Sequence, residues 1–357
     1  MTTLAIASGL PSLDNSTDLR AFPDYASYPG SIWYQALAEE AAQRSLPLLG
    51  AEAALSQVSQ GRLDARSVLL VQERESRSGE ALLRLGARGG ALTCLESPMY
   101  ASKFYRNLPL ISGSFHASFL FAPFVHTSRA KRSEIICFPR VSLAQAFSAN
   151  GPRSGFIAIA SYRSTPQQGL NVRGRFRLAL DTVQSAAVRD GVRNHLLGVR
   201  AQVIEQAAGV DQVHVYGRHW PAPSTLAPRH AERITVAGPC DDKIETLRRH
   251  RFNICLENAA IPGYVTEKFA DAVEAGCVPI YAARNFASCD TSLYPPFVDA
   301  DELISTKTPK QLLDRVASKF DEWLAQPHAS QRFLNLFSHT DLARRVMLSI
   351  EPCFKSR

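Results

Sequence analysis

Residues His250–Tyr281 read HRFNICLENAAIPGYVTEKFADAVEAGCVPIY. Phe252–Leu256 (FNICL) is a short apolar run of strand character. It leads to a carboxylate and an amide, Glu257-Asn258, and then to a turn at Pro262-Gly263. Thr266 stands where a helix over Thr266–Ala275 would begin, and its hydroxyl suits the N-cap. Val278–Tyr281 (VPIY) is the next strand. Strand, helix and strand in this order make a βα unit of a parallel sheet. In such sheets ligands sit at the loops that leave the carboxyl ends of strands.

The same alternation extends in both directions. Upstream, Gly155–Ala160 (GFIAIA) and Gln212–Tyr216 (QVHVY) read as strands. Val172–Ala208 reads as mostly helical and Lys243–Arg249 as a helix. In the first half, Ser31–Gln43 has helical spacing. Ser67–Gln72 is a buried-looking strand, Glu80–Leu85 a helix, and Ala91–Leu95 and Glu134–Phe138 are strands. The opening thirty residues are rich in Ser, Pro, Asp and Gly and read as an irregular lead-in. Asn150-Gly151-Pro152 breaks the chain, which puts a domain junction near residues 140–154. Lys310–Phe354 is amphipathic and reads as helical. The expectation is an α/β protein with a first domain over 1–145, a second over 146–330 and a helical tail over 331–357.

Bulk properties narrow the function. The chain has 357 residues, of which 45% are hydrophobic and 20% charged, enough to bury two cores without staples. A net charge of +7 favours anionic partners. The basic residues form only small clusters, at Arg129-Lys131-Arg132, Arg173-Arg175-Arg177 and Arg248-Arg249-Arg251, so no nucleic-acid module is expected. The seven cysteines include no CxxC pair, and several lie in apolar runs. A disulfide framework and a zinc site are therefore not expected, and a reducing cytosol suits the chain. The N-terminus lacks the basic region of a signal peptide, and no window is long and apolar enough to span a bilayer. Peripheral contact with a membrane through basic surface remains open.

The chemistry concentrates in Tyr264–Lys268. Orphan N–H groups and the macrodipole make a helix start an anion site. Lys268 would add a mobile positive charge for a phosphate. Glu267 could accept hydrogen bonds from a ribose or sugar hydroxyl, and Tyr264 could supply an aromatic wall. Such parts suit a nucleotide-diphosphate-sugar pocket. A capped helix start with an exposed ion pair would look the same in sequence.

The stretch His250–Tyr281 resembles the signature of the α-1,3/4-fucosyltransferases, glycosyltransferase family 10. That signature runs roughly Y-K-F-x-[IL]-x-F-E-N-S, a short gap, G-Y-[VI]-T-E-K, and then A, G and V/I-P-[IV]-Y. Val213–Trp220 (VHVYGRHW) is similar to the family's V-D-V-Y-G-[RK]-x-W. The resemblance implies a GT-B fold, with two Rossmann-like domains facing a central cleft. It implies that GDP-fucose is the donor substrate and a glycan hydroxyl the acceptor, with inversion at the anomeric carbon. No cofactor is required; a divalent metal could assist GDP but is not implied. The Asp299-Ala300-Asp301 and Asp241-Asp242 pairs lie outside the signature, and no metal ligand is assigned.

Carried over residue by residue, the family's donor-binding roles fall on Arg200, Asn258, Tyr264, Thr266, Glu267 and Lys268. Arg193 competes with Arg200 for the diphosphate, and Glu257 could either bind or brace the loop. Leu95–Pro98 (LESP) matches an E-S-P whose glutamate would be the general base, so Glu96 is the expected catalytic residue, across the cleft from the donor. The chain departs from the pattern at Leu256, Ala259 and Ala282-Ala283. It also has Tyr162 in place of an asparagine, and an apparent insertion over Pro166–Arg189. Another GDP-sugar donor, or a catalytically silent glycan-binding relative, remains an alternative. A cytoplasmic location, against the inner face of a membrane, fits the absence of targeting signals.

Overall fold

The computed structural model describes residues 2–19, 32–136, 153–168, 170–287 and 294–355, with Cys289 and Ser292. Cys137, the Asn150-Gly151-Pro152 break and all but the last two residues of the expected junction lie outside the described residues. The chain divides into two compact units. The first comprises Met1–Val141, Asp181–Val188 and Ser338–Arg357; the second comprises Ser142–Leu180 and Arg189–Phe337.

The first unit is built on a six-stranded sheet. Its strands are β1 (Thr3–Ala7), β2 (Leu48–Gly50), β3 (Val68–Glu73), β4 (Arg88–Thr93), β5 (Phe115–Leu120) and β6 (Arg132–Ile135). They lie in the order β2-β1-β3-β4-β5-β6, all parallel. The irregular lead-in expected for the first thirty residues is thus corrected. Thr3–Ala7 is a fully buried strand paired on both sides. A strand covered on both faces is a continuous apolar run, and TLAIA is one; the turn-forming residues that follow it had hidden it. Strand β4 starts at Arg88, earlier than Ala91, because glycine fits there. A Cβ on Gly89 would lie 2.1 Å from the Ser114 carbonyl oxygen.

The first unit's core joins the two ends of the chain. Trp33, Tyr34, Leu37 and Ala41 of the helix Ile32–Gln43 share one buried cluster with Leu342, Val346, Met347 and Ile350 of the helix His339–Ile350. Each such aliphatic side chain is worth about 1.5–3 kcal/mol when fully buried. The tail expected over 331–357 is accordingly divided between the units after Phe337.

The second unit has its own six-stranded sheet. Its strands are β7 (Ser154–Ile159), β8 (Val213–Tyr216), β9 (Ile234–Gly238), β10 (His250–Ile254), β11 (Val278–Tyr281) and β12 (Val298–Asp299). Their order is β12-β11-β10-β7-β8-β9, and all pairs are parallel. The chain builds outward from β7 through β8 to β9, then returns to place β10 on the other side of β7. The strand order therefore reverses between β7 and β10. In an open α/β sheet that is where a ligand crevice forms, outside the carboxyl ends of the strands. Between β7 and β8 the chain forms three helices, Val172–Gln184, Ala186–Arg193 and Leu197–Ala208.

Candidate active site

The loop leaving β10 is organised by one carboxylate. Glu257 is wholly buried. Its Oε1 accepts from the Thr266 backbone N–H at 2.9 Å, the Thr266 hydroxyl at 2.7 Å and the Tyr281 hydroxyl at 2.7 Å. Its Oε2 lies 3.2 Å from Lys268 Nζ. A buried charge is tolerable only when paired and hydrogen-bonded in this way. Of the two roles open to Glu257, bracing the loop is the one its partners fill. The expected helix follows, Glu267–Glu274 with Thr266 as N-cap. The anion at its N-terminus is thus the protein's own Glu257, which occupies both the N–H and the hydroxyl of Thr266.

Lys268 is held in place, contrary to the mobile charge expected. Besides Glu257, its ammonium lies 3.1 Å from Thr266 Oγ1 and 3.7 Å from Glu267 Oε1, with 21% of the side chain exposed. Burial opposes its charge, but the carboxylates of Glu257 and Glu267 outweigh it and raise its pKa above the ordinary lysine value. For Glu267, burial pushes upward, yet Lys268 and Lys243 prevail and hold the carboxyl below its usual range. Both side chains are therefore charged at neutral pH. Lys243 is itself fixed by Asp271 at 2.6 Å.

Arg200 comes to the same place from the helix Leu197–Ala208. It is 2% exposed, its Nη2 donates to the Leu256 carbonyl at 2.8 Å, and its charge acts on Lys268. Arg193, the competing assignment, is exposed. Asn258 is half-buried and its carbonyl accepts from the Leu196 N–H at 3.0 Å, tying the loop to the start of the Arg200 helix. Tyr264 is 2% exposed, so its ring belongs to the packing beneath the loop and not to an open wall.

Sequence reasoning missed the clamp on this loop. Asn285 Nδ2 faces the carbonyls of Ala259, Ile261 and Tyr264 at 3.1, 3.3 and 2.7 Å. Its own backbone carbonyl accepts from Gly263, which has φ +76°. No local pattern in the sequence signals it, because every partner lies on a distant turn.

The neighbouring strand ends are also joined. Gly217, with φ +123°, closes β8 where a Cβ would lie 2.2 Å from the Ala160 carbonyl oxygen, so only glycine fits. Tyr162, the residue that departs from the family's asparagine, packs on Trp220 with ring centroids 5.2 Å apart. His219, next to Trp220 in sequence, has φ +67°, a left-handed setting uncommon outside glycine.

In the first unit, Glu96 follows the carboxyl end of β4. Its backbone carbonyl accepts from the Tyr105 hydroxyl at 2.9 Å, while its side chain is 40% exposed and 3.9 Å from Arg74 Nη2. Arg74 sits in the left-handed region at φ +61°, immediately after β3. Beside it Glu73 is buried and accepts a hydrogen bond from the Tyr34 hydroxyl. Here too the strand order reverses, between β1 and β3. Of the aspartate pairs, Asp299 Oδ1 accepts from the Ala283 N–H at 3.0 Å, Asp301 lies 3.4 Å from Arg284, and Asp242 caps the helix Lys243–Leu247. Among the described residues no cluster of three or more His, Cys, Asp or Glu side chains is placed to hold a metal ion.

Several solved structures share this architecture. AviGT4, a glycosyltransferase involved in avilamycin A biosynthesis, superposes with a TM-score of 0.55 at 11% identity, covering 100% of this chain and 99% of that one. A glycosyltransferase from Rickettsia africae ESF-5 gives 0.52 at 9% identity, over 100% and 99% of the two chains. Anabaena Alr3699/HepE, solved with UDP-glucose, gives 0.52 at 12% identity, over 99% and 100%. At such identities the likeness is one of fold, and the fold is that of the GT-B glycosyltransferases. Residues 188–326 match the family Glycosyltransferase family 10 (fucosyltransferase) C-term. Over 101 residues the chain is 32% identical to 3-galactosyl-N-acetylglucosaminide 4-alpha-L-fucosyltransferase FUT3 of Pongo pygmaeus, covering 28% of this chain and 24% of that protein. The match thus spans about a quarter of that relative's length. No helix among the described residues is long and apolar enough to cross a membrane.

Proposed function

We propose that the protein is an inverting fucosyltransferase that moves L-fucose from GDP-fucose to a hydroxyl of a glycan acceptor. One observation carries the reading: at the carboxyl end of β10, inside the family 10 segment, buried Glu257 holds Lys268 charged beside Arg200. That is a pair of cations at the point where the strand order reverses, Lys268 held in place by the carboxylates of Glu257 and Glu267 and Arg200 by the Leu256 carbonyl. Lys268 and Arg200 bind the donor diphosphate, and Glu267 takes the hydroxyls of ribose or sugar. Asn258, Tyr264 and Thr266 shape the loop that presents them.

In the reaction Glu96 accepts the proton of the acceptor hydroxyl. The acceptor oxygen forms a bond to C1 of fucose on the face opposite GDP. The bond from C1 to the phosphate oxygen breaks, and its electron pair leaves with GDP. The transition state is oxocarbenium-like, and negative charge grows on the diphosphate. A cation fixed before the reaction stabilises that charge without reorganising. Glu96 suits the proton transfer because it is both anchored through its backbone and open to solvent.

A donor screen tests the proposal, with GDP release and the glycosylated product both measured. GDP release from GDP-fucose no faster than background, in the presence of an acceptor array, would end it. Preference for a different GDP-sugar would support the first alternative, which the departures at Ala259, Ala282 and Ala283 leave room for. Tight GDP-fucose binding with no transfer by wild type would support the silent-binder alternative.

A further inference from the structure

The helix Val172–Gln184 carries a surface that the donor chemistry does not use. Its residues Val172, Phe176, Leu180 and Val183 are 85%, 66%, 43% and 75% exposed. Spacings of four, four and three residues at about 100° each gather them within an arc of about 80°. Of the ten large hydrophobic side chains exposed among the described residues, these are four, on one thirteen-residue helix. Scattered exposed leucines need no explanation, whereas such a concentration marks an interaction surface. Apart from Val183 these residues belong to the second unit.

The charges beside the stripe say what it meets. Arg173, Arg175 and Arg177 are all exposed. On the helical wheel Arg175 borders one edge of the stripe, and Arg173 and Arg177 border the other. The one carboxylate on this helix, Asp181, is fully buried and bonded to Ser102 and Arg106. Leu178, 5% exposed, faces inward with it. The outward surface therefore presents an apolar strip between cationic edges, with no negative charge of its own.

We propose that this helix lies in the interface of an anionic phospholipid bilayer, with its apolar stripe at the boundary between headgroups and acyl chains and its arginines on lipid phosphates. A strongly cationic polar flank with aliphatic and aromatic residues on the other face is the composition of interfacial helices. A planar anionic surface satisfies both cationic edges at once. A second copy of the chain would not, since a twofold contact through this stripe sets arginine rows against each other. A glycan would find no side-chain hydrogen-bond acceptor on Val172, Phe176, Leu180 or Val183.

The test is flotation of the full-length protein with vesicles of phosphatidylglycerol and phosphatidylcholine, compared with phosphatidylcholine alone. Wild type binds the anionic vesicles and not the neutral ones, and binding weakens as salt rises. Replacing all three arginines by glutamine lowers the vesicle partition coefficient roughly 100-fold, at about tenfold or less per charge. Phe176→Ser lowers it roughly 10-fold while leaving thermal unfolding unchanged, because the ring is exposed. In Phe176→Trp, brominated lipids quench the added fluorescence. Failure of wild type to float, equal binding by Phe176→Ser, or a self-association that Phe176→Ser abolishes would each overturn the proposal. GDP release from GDP-fucose is measured separately in solution, so failure of the membrane reading leaves the donor reading standing, and the converse.

Discussion

Glu257 Oε2 lies 3.2 Å from Lys268 Nζ, with the carboxylate fully buried and the ammonium partly exposed. The pair ties the end of β10 to the first turn of the following helix. Removing one member of such a pair leaves the other groups unsatisfied, at a cost of about 3–5 kcal/mol. Glu257→Ala is therefore expected to lower the melting temperature of the protein by roughly 6–12 °C or more. Circular dichroism melts check this, and an unchanged melting temperature would contradict the bracing role.

Lys268 separates charge from geometry. Lys268→Arg keeps the ion pair with Glu257 and is expected to fold normally, but its fork cannot reproduce the position of the ammonium. Lys268→Met is expected to lower kcat about 10²–10³-fold, the effect of losing one preorganised stabilising group. Steady-state kinetics with GDP-fucose measure both. An unaltered kcat in Lys268→Met would overturn the proposed role of Lys268 on the donor diphosphate.

The buried carboxyl of Glu73 gives a pH prediction for the first unit. Burial raises its pKa, Arg74 and the Tyr34 hydroxyl pull back less, and Glu96 adds to the rise. A folded-state pKa above the unfolded value means that folding favours the protonated form. Its contribution is fully present below the unfolded value of about 4.3, and is lost as pH rises through the raised folded value. Glu73→Gln cannot ionise, so it is expected to gain melting temperature relative to wild type as pH rises across that window. Below pH about 4 the two should converge. A gap that widens toward low pH would refute this.

Glu96 tests the chemistry without testing the fold. Its side chain is 40% exposed and its nearest cation is 3.9 Å away, a surface pairing worth about 0–1 kcal/mol. Glu96→Gln should melt like wild type and bind GDP-fucose equally well, yet lose about 10²–10⁴ in transfer rate, the range for a general base. Calorimetry and product assays together decide it. Full transfer activity would place the base elsewhere.

What could be read from the sequence depended on how far apart the partners lie. The strand, cap and helix of residues 252–274 act within one βα unit, so their pattern is visible locally. Strand β5 was not, because His116 and Ser118 interrupt its apolar run. Ser118 is nonetheless fully buried, its hydroxyl 2.8 Å from those of both Ser128 and Ser133. Asn285 was invisible for the opposite reason, since an asparagine in a turn is ordinary until the three carbonyls it faces are brought to it. Arg200 and Glu96 were singled out by resemblance alone; nothing in their own surroundings distinguishes a buried or strand-end charge from a helix-surface one. The Lys268 contacts changed the reading most, from a free lysine to one fixed by three oxygens.

The helix His339–Ile350 completes the core that the helix Ile32–Gln43 begins, and the whole second unit is encoded between them. On the ribosome, Trp33, Tyr34 and Leu37 must therefore wait for their partners while the second unit is made, on the order of tens of seconds at about 5–20 residues per second. For that time the nascent first unit presents an open apolar flank. Its order of maturation is set by translation: the second unit's sheet can close first, and the unit that was synthesised first is finished last.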